Sequence, residues 1–291
     1  MKLTVLSVAY PFAPVGPDSV GGAEQILACL DEYLTDEDHH SIVIACEGST
    51  PKGTIVAIPK THGSLTDTAR RSAQQECRIA ISEVLRRYPV DVVHMHGFDF
   101  HSYLPRPGVP VIATLHLPLE WYPPGIFRIE RSRTYFRCVS SAEQRSCPSG
   151  KLLPAIQNGI RVERFAARVR KYRFALALGR ICPEKGFHLA LDAAKNANIP
   201  MLLAGEVFRY DAHERYYREE IVPRLSSSRK FAGPVSFRRK RRLLAGAHCL
   251  LAPSLAPETS SLVGMEALAS GTPVIAFPNG APWLCLGPPY Q

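Results

Sequence analysis

The chain has 291 residues, is 46% hydrophobic and carries a formal net charge of +9. That length suits two domains, and that apolar content supplies buried cores, which excludes a disordered chain. The longest apolar runs, such as "CLLAP" and "VIAF", fall far short of the roughly 18–20 residues of a membrane span, and the eight cysteines form no Cys-x-x-Cys pair or Cys/His cluster at zinc spacing.

The start, "MKLTVLSVAYPFAP", lacks a small-residue cleavage site and reads as a first β-strand, so a cytoplasmic protein is expected. Apolar segments "LTVLSVA", "SIVIA", "DVVHMH" and "PVIATLH" alternate with helix-length stretches at 22–35 and 66–87, the pattern of parallel βαβ units. A second series follows, "RFALALG", "PMLLAG", "HCLLAPS" and "TPVIAF", with helices expected near 186–196, 210–220, 239–247 and 261–269. The chain thus reads as two doubly wound α/β domains, 1–168 and 169–291, joined within "NGIRVERFAARVRKYR" (158–173), where an Asn-Gly turn precedes a charged stretch.

In open α/β sheets ligands bind beyond the C-terminal strand ends, where helix N-termini offer free N–H groups. After the first strand, Gly21 and Gly22 open a helix behind a proline-containing loop, and glycine lets backbone approach a phosphate or sugar closely. A plain turn with an N-cap is the competing reading. After "ALALG", Arg180 and Lys185 stand on a strand-to-helix loop, where a guanidinium fork and an ammonium could clamp a diphosphate, although exposed basic loop residues are commonly only solvated. Within "PETSSLVGMEALASGTPVIAF" (257–277), Glu258 precedes a helix start and Glu266 lies inside it. Carboxylates accept from vicinal hydroxyls, so Glu266 suits a ribose and Glu258 a hexose, and the N–H groups around Ser260, Ser261, Leu262 and Val263 can take phosphate oxygens. The alternative makes Glu258 a surface residue and Glu266 an ordinary helix glutamate.

These pieces resemble the retaining glycosyltransferases of family 4, the glycogen-synthase-like group with the GT-B fold. The matching residues are Gly21-Gly22, "VHMHG" (93–97), "TLH" ending at His116, "QNGIRVERF" (157–165), "LGRICPEKG" (178–186), "LLAGE" (202–206) and the Glu-x7-Glu segment 257–277. The resemblance implies two Rossmann-like domains facing across a cleft, the first binding an acceptor and the second a UDP-, GDP- or ADP-sugar, with transfer retaining anomeric configuration. By position it implies that Arg180 and Lys185 neutralise the leaving diphosphate, that Glu266 binds the ribose, that Glu258 contacts the donor sugar and that His116 faces the reacting centre. Preorganised cations can replace a metal at the leaving group, so neither metal nor cofactor is expected.

Two metal-like patterns weigh little. "DED" (36–38) sits at a helix end and reads as a solvated turn, while His94 and His96, with His101 near, lack a carboxylate or cysteine to complete a zinc set. The basic stretch "RKFAGPVSFRRKRR" (229–242) suits an anionic membrane surface, which fits a lipid-linked acceptor, or a solvated helix face; no RNA-binding aromatic signature accompanies it, and no nucleic acid is expected. After "TPVIAF" the family continues with a Pro-Glu loop and further elements, whereas here Trp283 replaces the expected glutamate, so the second domain reads as incomplete at its C-terminus. A catalytically impaired form that only binds nucleotide or a partner, and a nucleotide-sugar epimerase of the same fold, are the alternative functions.

Overall fold

The structure, a computed structural model, describes residues 1–63, 65–167 and 169–279. Trp283 and the "PWLCLGPPYQ" tail lie outside the described residues. The fold separates into two units, Met1–Asn158 and a second beginning at Gly159. The division falls earlier than the expected 168/169. The reason is packing: Ile160 and Phe165 join a core with Leu176, Leu244 and Leu250 of the second unit, so the segment after the Asn-Gly turn already belongs to it.

The first unit runs β1 (Thr4–Val8), α1 (Gly22–Asp36), β2 (His40–Cys46), β3 (Thr54–Ile58), α2 (Asp67–Arg87), β4 (Val92–Met95), β5 (Val111–Leu115), β6 (Thr134–Cys138), α3 (Ser141–Ser146) and β7 (Leu152–Leu153). Its seven strands are ordered β3-β2-β1-β4-β5-β6-β7, all parallel. The strands are apolar on both faces, as a sheet covered on both sides requires: along β2, Ile42, Ile44 and Cys46 enter one core with β4 and β5, while Val43 and Ala45 pack with Leu27 of α1. Helix α2 starts where the Thr66 side chain accepts from Ala69 N, carries Asp67 in its first turn and ends on Arg86 and Arg87, charges that match the helix dipole at both ends.

The second unit runs β8 (Ala175–Leu178), α4 (Phe187–Asn196), β9 (Met201–Ala204), α5 (Asp211–Tyr216), β10 (Arg229–Phe231), α6 (Phe237–Gly246), β11 (Cys249–Ala252), α7 (Leu262–Ala269) and β12 (Val274–Ala276). Its order is β10-β9-β8-β11-β12, again parallel. Alternate residues of β8 divide between two cores, Ala175 and Ala177 toward α4, and Leu176 with residues of α6 and α7. The helix expected at 210–220 is α5 followed by a π-turn, Tyr217–Ile221, and a 3₁₀ turn, Val222–Arg224, where Pro223 removes the donor a continuing helix would need.

Strand order reverses direction between β1 and β4 in the first unit and between β8 and β11 in the second. These switch points open a crevice at the C-terminal strand ends, the place where α/β sheets bind ligands.

Candidate functional site

In the second unit the two strands flanking the switch point carry the candidate residues. After β8 the chain passes through a 3₁₀ turn, Pro183–Lys185, and through Gly186 at φ +62° before entering α4. A Cβ on Gly186 would stand 2.2 Å from the Pro253 carbonyl oxygen, so this loop packs directly on the segment after β11. Leu255 N donates to Glu184 O at 2.8 Å, locking the two loops together. The result is a close pair: Lys185 Nζ lies 2.5 Å from Glu258 Oε1, and the Ser254 hydroxyl donates to the same oxygen. Burial acts to raise the Glu258 carboxyl, but the Lys185 ammonium, the bonds from Lys185 and Ser254, and the charge of Arg180 together hold it below the ordinary carboxylate range. Arg180, Lys185 and Glu258 are thus brought together, as an anionic group flanked by two cations.

Glu266 lies inside α7, as the sequence placed it, and is buried. It is 3% exposed in the second turn of α7, and its Oε1 accepts from Lys240 Nζ at 2.6 Å. Lys240 belongs to the basic stretch, yet it is 8% exposed, with its ammonium 5.5 Å from the Phe237 ring centre and 5.7 Å from that of Phe165. The solvated or membrane-facing reading of 229–242 therefore fails for this residue. Its place could have been read from spacing, since Phe237, Lys240 and Leu244 recur at helical intervals and share the inward face of α6. Burial raises the Glu266 carboxyl, with Lys240 opposing the rise. Ser260 and Ser261 lead into α7, and Leu262 and Val263 form its first turn, whose N–H groups have no intrahelical acceptor.

In the first unit Gly21 caps α1 with φ −78° and needs no left-handed freedom. Its glycine matters for space instead: a Cβ there would meet Glu24 Oε2 at 1.9 Å, because the buried Glu24 side chain folds back over the helix start formed by Gly21 and Gly22. His116, past the end of β5, joins a row of imidazoles. His96 Nδ1 lies 3.1 Å from His116 Nε2, the His94 and His96 rings are 4.1 Å apart, and His94 Nε2 bonds Thr114 Oγ1 at 2.7 Å. Burial, reinforced by the Arg137 guanidinium, lowers His116 to about 4, and burial lowers His94 to about 3, so both rings are neutral near pH 7. The Nε2 of His96 is buried and has no hydrogen-bond partner among the described residues. His101 packs edge-on against Phe100 and is no part of that row. The "DED" carboxylates close the end of α1, Asp36 pairing with Lys52 and Asp38 with Lys2 at 3.6 Å. Ser254, Lys240 and Arg137 were not singled out from sequence, and of these only Lys240 left a signal there; His96 was weighed there only as a metal ligand.

The two parallel sheets define a doubly wound α/β protein, and the family comparisons state which kind. The model described as Glycosyltransferase Family 4 matches residues 20–175, and that described as Glycosyl transferases group 1 matches 161–283. The chain belongs to glycosyltransferase family 4 and is a glycosyltransferase of the GT-B fold. Among solved structures it is similar to the sucrose-phosphate synthase of Thermosynechococcus elongatus (TM-score 0.76, 18% identity, covering 100% of this chain and 87% of that one). It is similar also to HepE of Anabaena in complex with UDP-glucose (TM-score 0.69, 17% identity, 96% and 81% covered). A third similar structure is AviGT4, a glycosyltransferase involved in avilamycin A biosynthesis (TM-score 0.68, 24% identity, 96% and 80% covered). No curated protein matches the sequence. No helix among the described residues is long and apolar enough to cross a membrane.

Proposed function

We propose that this protein transfers a hexose from a nucleoside-diphosphate sugar to a glycan, lipid-linked or small-molecule acceptor, with retention of configuration and without a metal at the diphosphate. The carrying observation is the Arg180, Lys185 and Glu258 cluster at the β8/β11 switch point, pinned by Gly186 and the Glu184–Leu255 backbone bond. In this reading Arg180 and Lys185 meet the charge that grows on the departing diphosphate, which fixed cations do without reorganisation. The N–H groups of Ser260 and Ser261, which lead into α7, and of Leu262 and Val263 in its first turn take phosphate oxygens. Glu258 accepts from donor-sugar hydroxyls, and the Lys185 bond holds its carboxylate charged and oriented. Glu266 accepts from the ribose through the carboxylate oxygen that Lys240 does not occupy. Neutral His116 faces the reacting centre, and the α1 start at Gly21 and Gly22 contributes to acceptor binding beside the Glu24 carboxylate that folds over it. UDP-glucose in the HepE structure is consistent with a donor of this class.

The exposed Lys230, Arg238, Arg239 and Arg242 present positive charge to an anionic bilayer, which suits a lipid-linked acceptor. Flotation with anionic vesicles across a salt series tests that contact, and binding indifferent to salt would count against it.

The deciding experiment incubates the chain with labelled UDP-, GDP- and ADP-sugars and an acceptor pool, without added magnesium or manganese, and assigns the product anomer by NMR. Transfer with retained configuration is expected. Arg180→Ala and Lys185→Ala should each lower turnover by roughly a hundredfold or more. Near-normal rates in both variants would place the phosphate site elsewhere, and nucleotide binding without turnover would support a nucleotide-binding protein instead.

A further inference from the structure

The loop after β8 holds a second set of polar side chains, which meets α5. One donor atom each from Cys182, Glu184 and His213 lies within 4.8 Å of the others. Cys182 is 1% exposed and sets the start of the 3₁₀ turn in extended backbone, φ −150° and ψ 157°. Glu184 follows two residues on, its carbonyl fixed by Leu255 N and Ala256 N. His213 comes from α5, held by its N–H to Tyr210 O at 2.9 Å and by the Tyr210 ring 5.0 Å away. Its Nδ1 is buried and has no hydrogen-bond partner among the described residues. Glycosyl transfer, as read above, uses none of these three groups.

We propose that Cys182, Glu184 and His213 bind a thiophilic divalent cation, zinc foremost, which ties the loop carrying Arg180 and Lys185 to α5. Sulfur, imidazole nitrogen and carboxylate oxygen are the zinc donor set, whereas magnesium and calcium take oxygen ligands. Zinc bonds of about 2.0–2.3 Å place tetrahedral donor atoms roughly 3.3–3.6 Å apart, so the present envelope closes onto an ion by small side-chain rotations. Three protein ligands leave a fourth position for water. Binding breaks the Cys182 S–H bond and forms a sulfur–metal bond, the proton leaving to solvent. The thiolate and the Glu184 carboxylate together balance the charge of the ion, which offsets the repulsion from Arg180 nearby; Lys185 is engaged by Glu258. The cation stands apart from the diphosphate and positions the loop, leaving the charge of the leaving group to Arg180 and Lys185.

Tag-free full chain, stripped with chelator and dialysed, is titrated with zinc by calorimetry and with cobalt by absorption spectroscopy. The expected result is one zinc per chain, a cobalt–thiolate charge-transfer band, and a higher melting temperature with zinc. Cys182→Ala should abolish the band, and His213→Ala and Glu184→Gln should weaken zinc binding by roughly tenfold or more. Cys29→Ala and Cys249→Ala should bind as wild type does. A wild-type chain without the cobalt–thiolate band, or equal zinc affinity in wild type and His213→Ala, overturns the proposal. Should Cys182→Ala fail to fold, His213→Ala and Glu184→Gln decide it. Sugar-transfer rates do not enter this readout, so the metal site and the transferase reading stand or fall separately.

Discussion

Lys240 and Glu266 form a buried ion pair whose side chains are 10% and 4% exposed, and the two members differ in what their loss would do. Glu266→Gln keeps the shape and removes the charged acceptor, so nucleoside-diphosphate affinity should fall by about 1.5–3 kcal/mol in calorimetry while affinity for free sugar changes little. Lys240→Ala instead leaves a carboxylate buried without its partner, and chemical denaturation should show a stability loss of about 3–5 kcal/mol. Equal nucleotide affinity in wild type and Glu266→Gln would remove Glu266 from the donor site. At Glu258 the lowered carboxyl fixes another sign: the Lys185 pair is intact above the ordinary carboxylate range and is lost only as pH falls through the depressed value. The sequence could place Arg180, Lys185 and Glu258 near one another because strand ends in a doubly wound sheet converge. Lys240 was missed because a lysine among arginines looks solvated until the helical spacing of Phe237 and Leu244 around it is weighed.

At the level of elements, the turn from β8 into α4 has a narrow tolerance. Gly186→Ala must hold a left-handed residue, at about 1–2 kcal/mol, and must also move its Cβ off the Pro253 carbonyl oxygen 2.2 Å away. Because Lys185 precedes it, turnover should drop by roughly a hundredfold through misplacement alone, with melting temperature falling alongside; unchanged kinetics would show that the turn does not position the ammonium. Helix α3 supplies a pH test of a different kind. Its Glu143 is 9% exposed, its buried Oε1 has no hydrogen-bond partner among the described residues, and burial pushes its carboxyl from 4.5 to about 7. Between those values the folded chain holds a proton that the unfolded chain has released, so stability should fall as pH rises through the window. In Glu143→Gln the melting temperature should lose that slope and exceed the wild-type value above pH 7. Strands β3, β6, β7 and β10 were not singled out in the sequence. Two of them, β7 (two residues) and β10 (three residues, RKF), are too short or too basic for periodicity to register.

Across the whole molecule, each unit has cores of its own, built from β1, β2, β4 and β5 in one and from β8, β9 and β11 in the other. A ligand that binds one unit stabilises that unit by mass action. Saturating nucleoside diphosphate should therefore slow hydrogen exchange in peptides from Gly159 onward, above all at 180–186 and 254–266, and leave the exchange of Met1–Asn158 nearly unchanged. Equal protection of both units would show that the nucleotide contacts both. The alternation of buried strands with helices made the two-unit α/β plan legible, since continuous apolar strands bounded by turns have few other folds available. The division at Asn158 was less so: Phe165 commits its segment to the second core through contacts with residues far along the chain, which local composition does not record.

The imidazole row of His94, His96 and His116 bears on how the protein meets changes in its surroundings. With His94 at about 3 and His116 at about 4, and His96 also lowered by burial, none of these rings gains a proton when the medium drifts from neutral to mildly acid. Histidine is the side chain most suited to sensing such drift, yet here three of the chain's ten are withdrawn from that role. Their proton NMR resonances should stay fixed between pH 5 and 8. The polar contacts around His116 are consequently the same in an acid-stressed environment as in a resting one, and any acid sensitivity of the whole protein has to enter by another door.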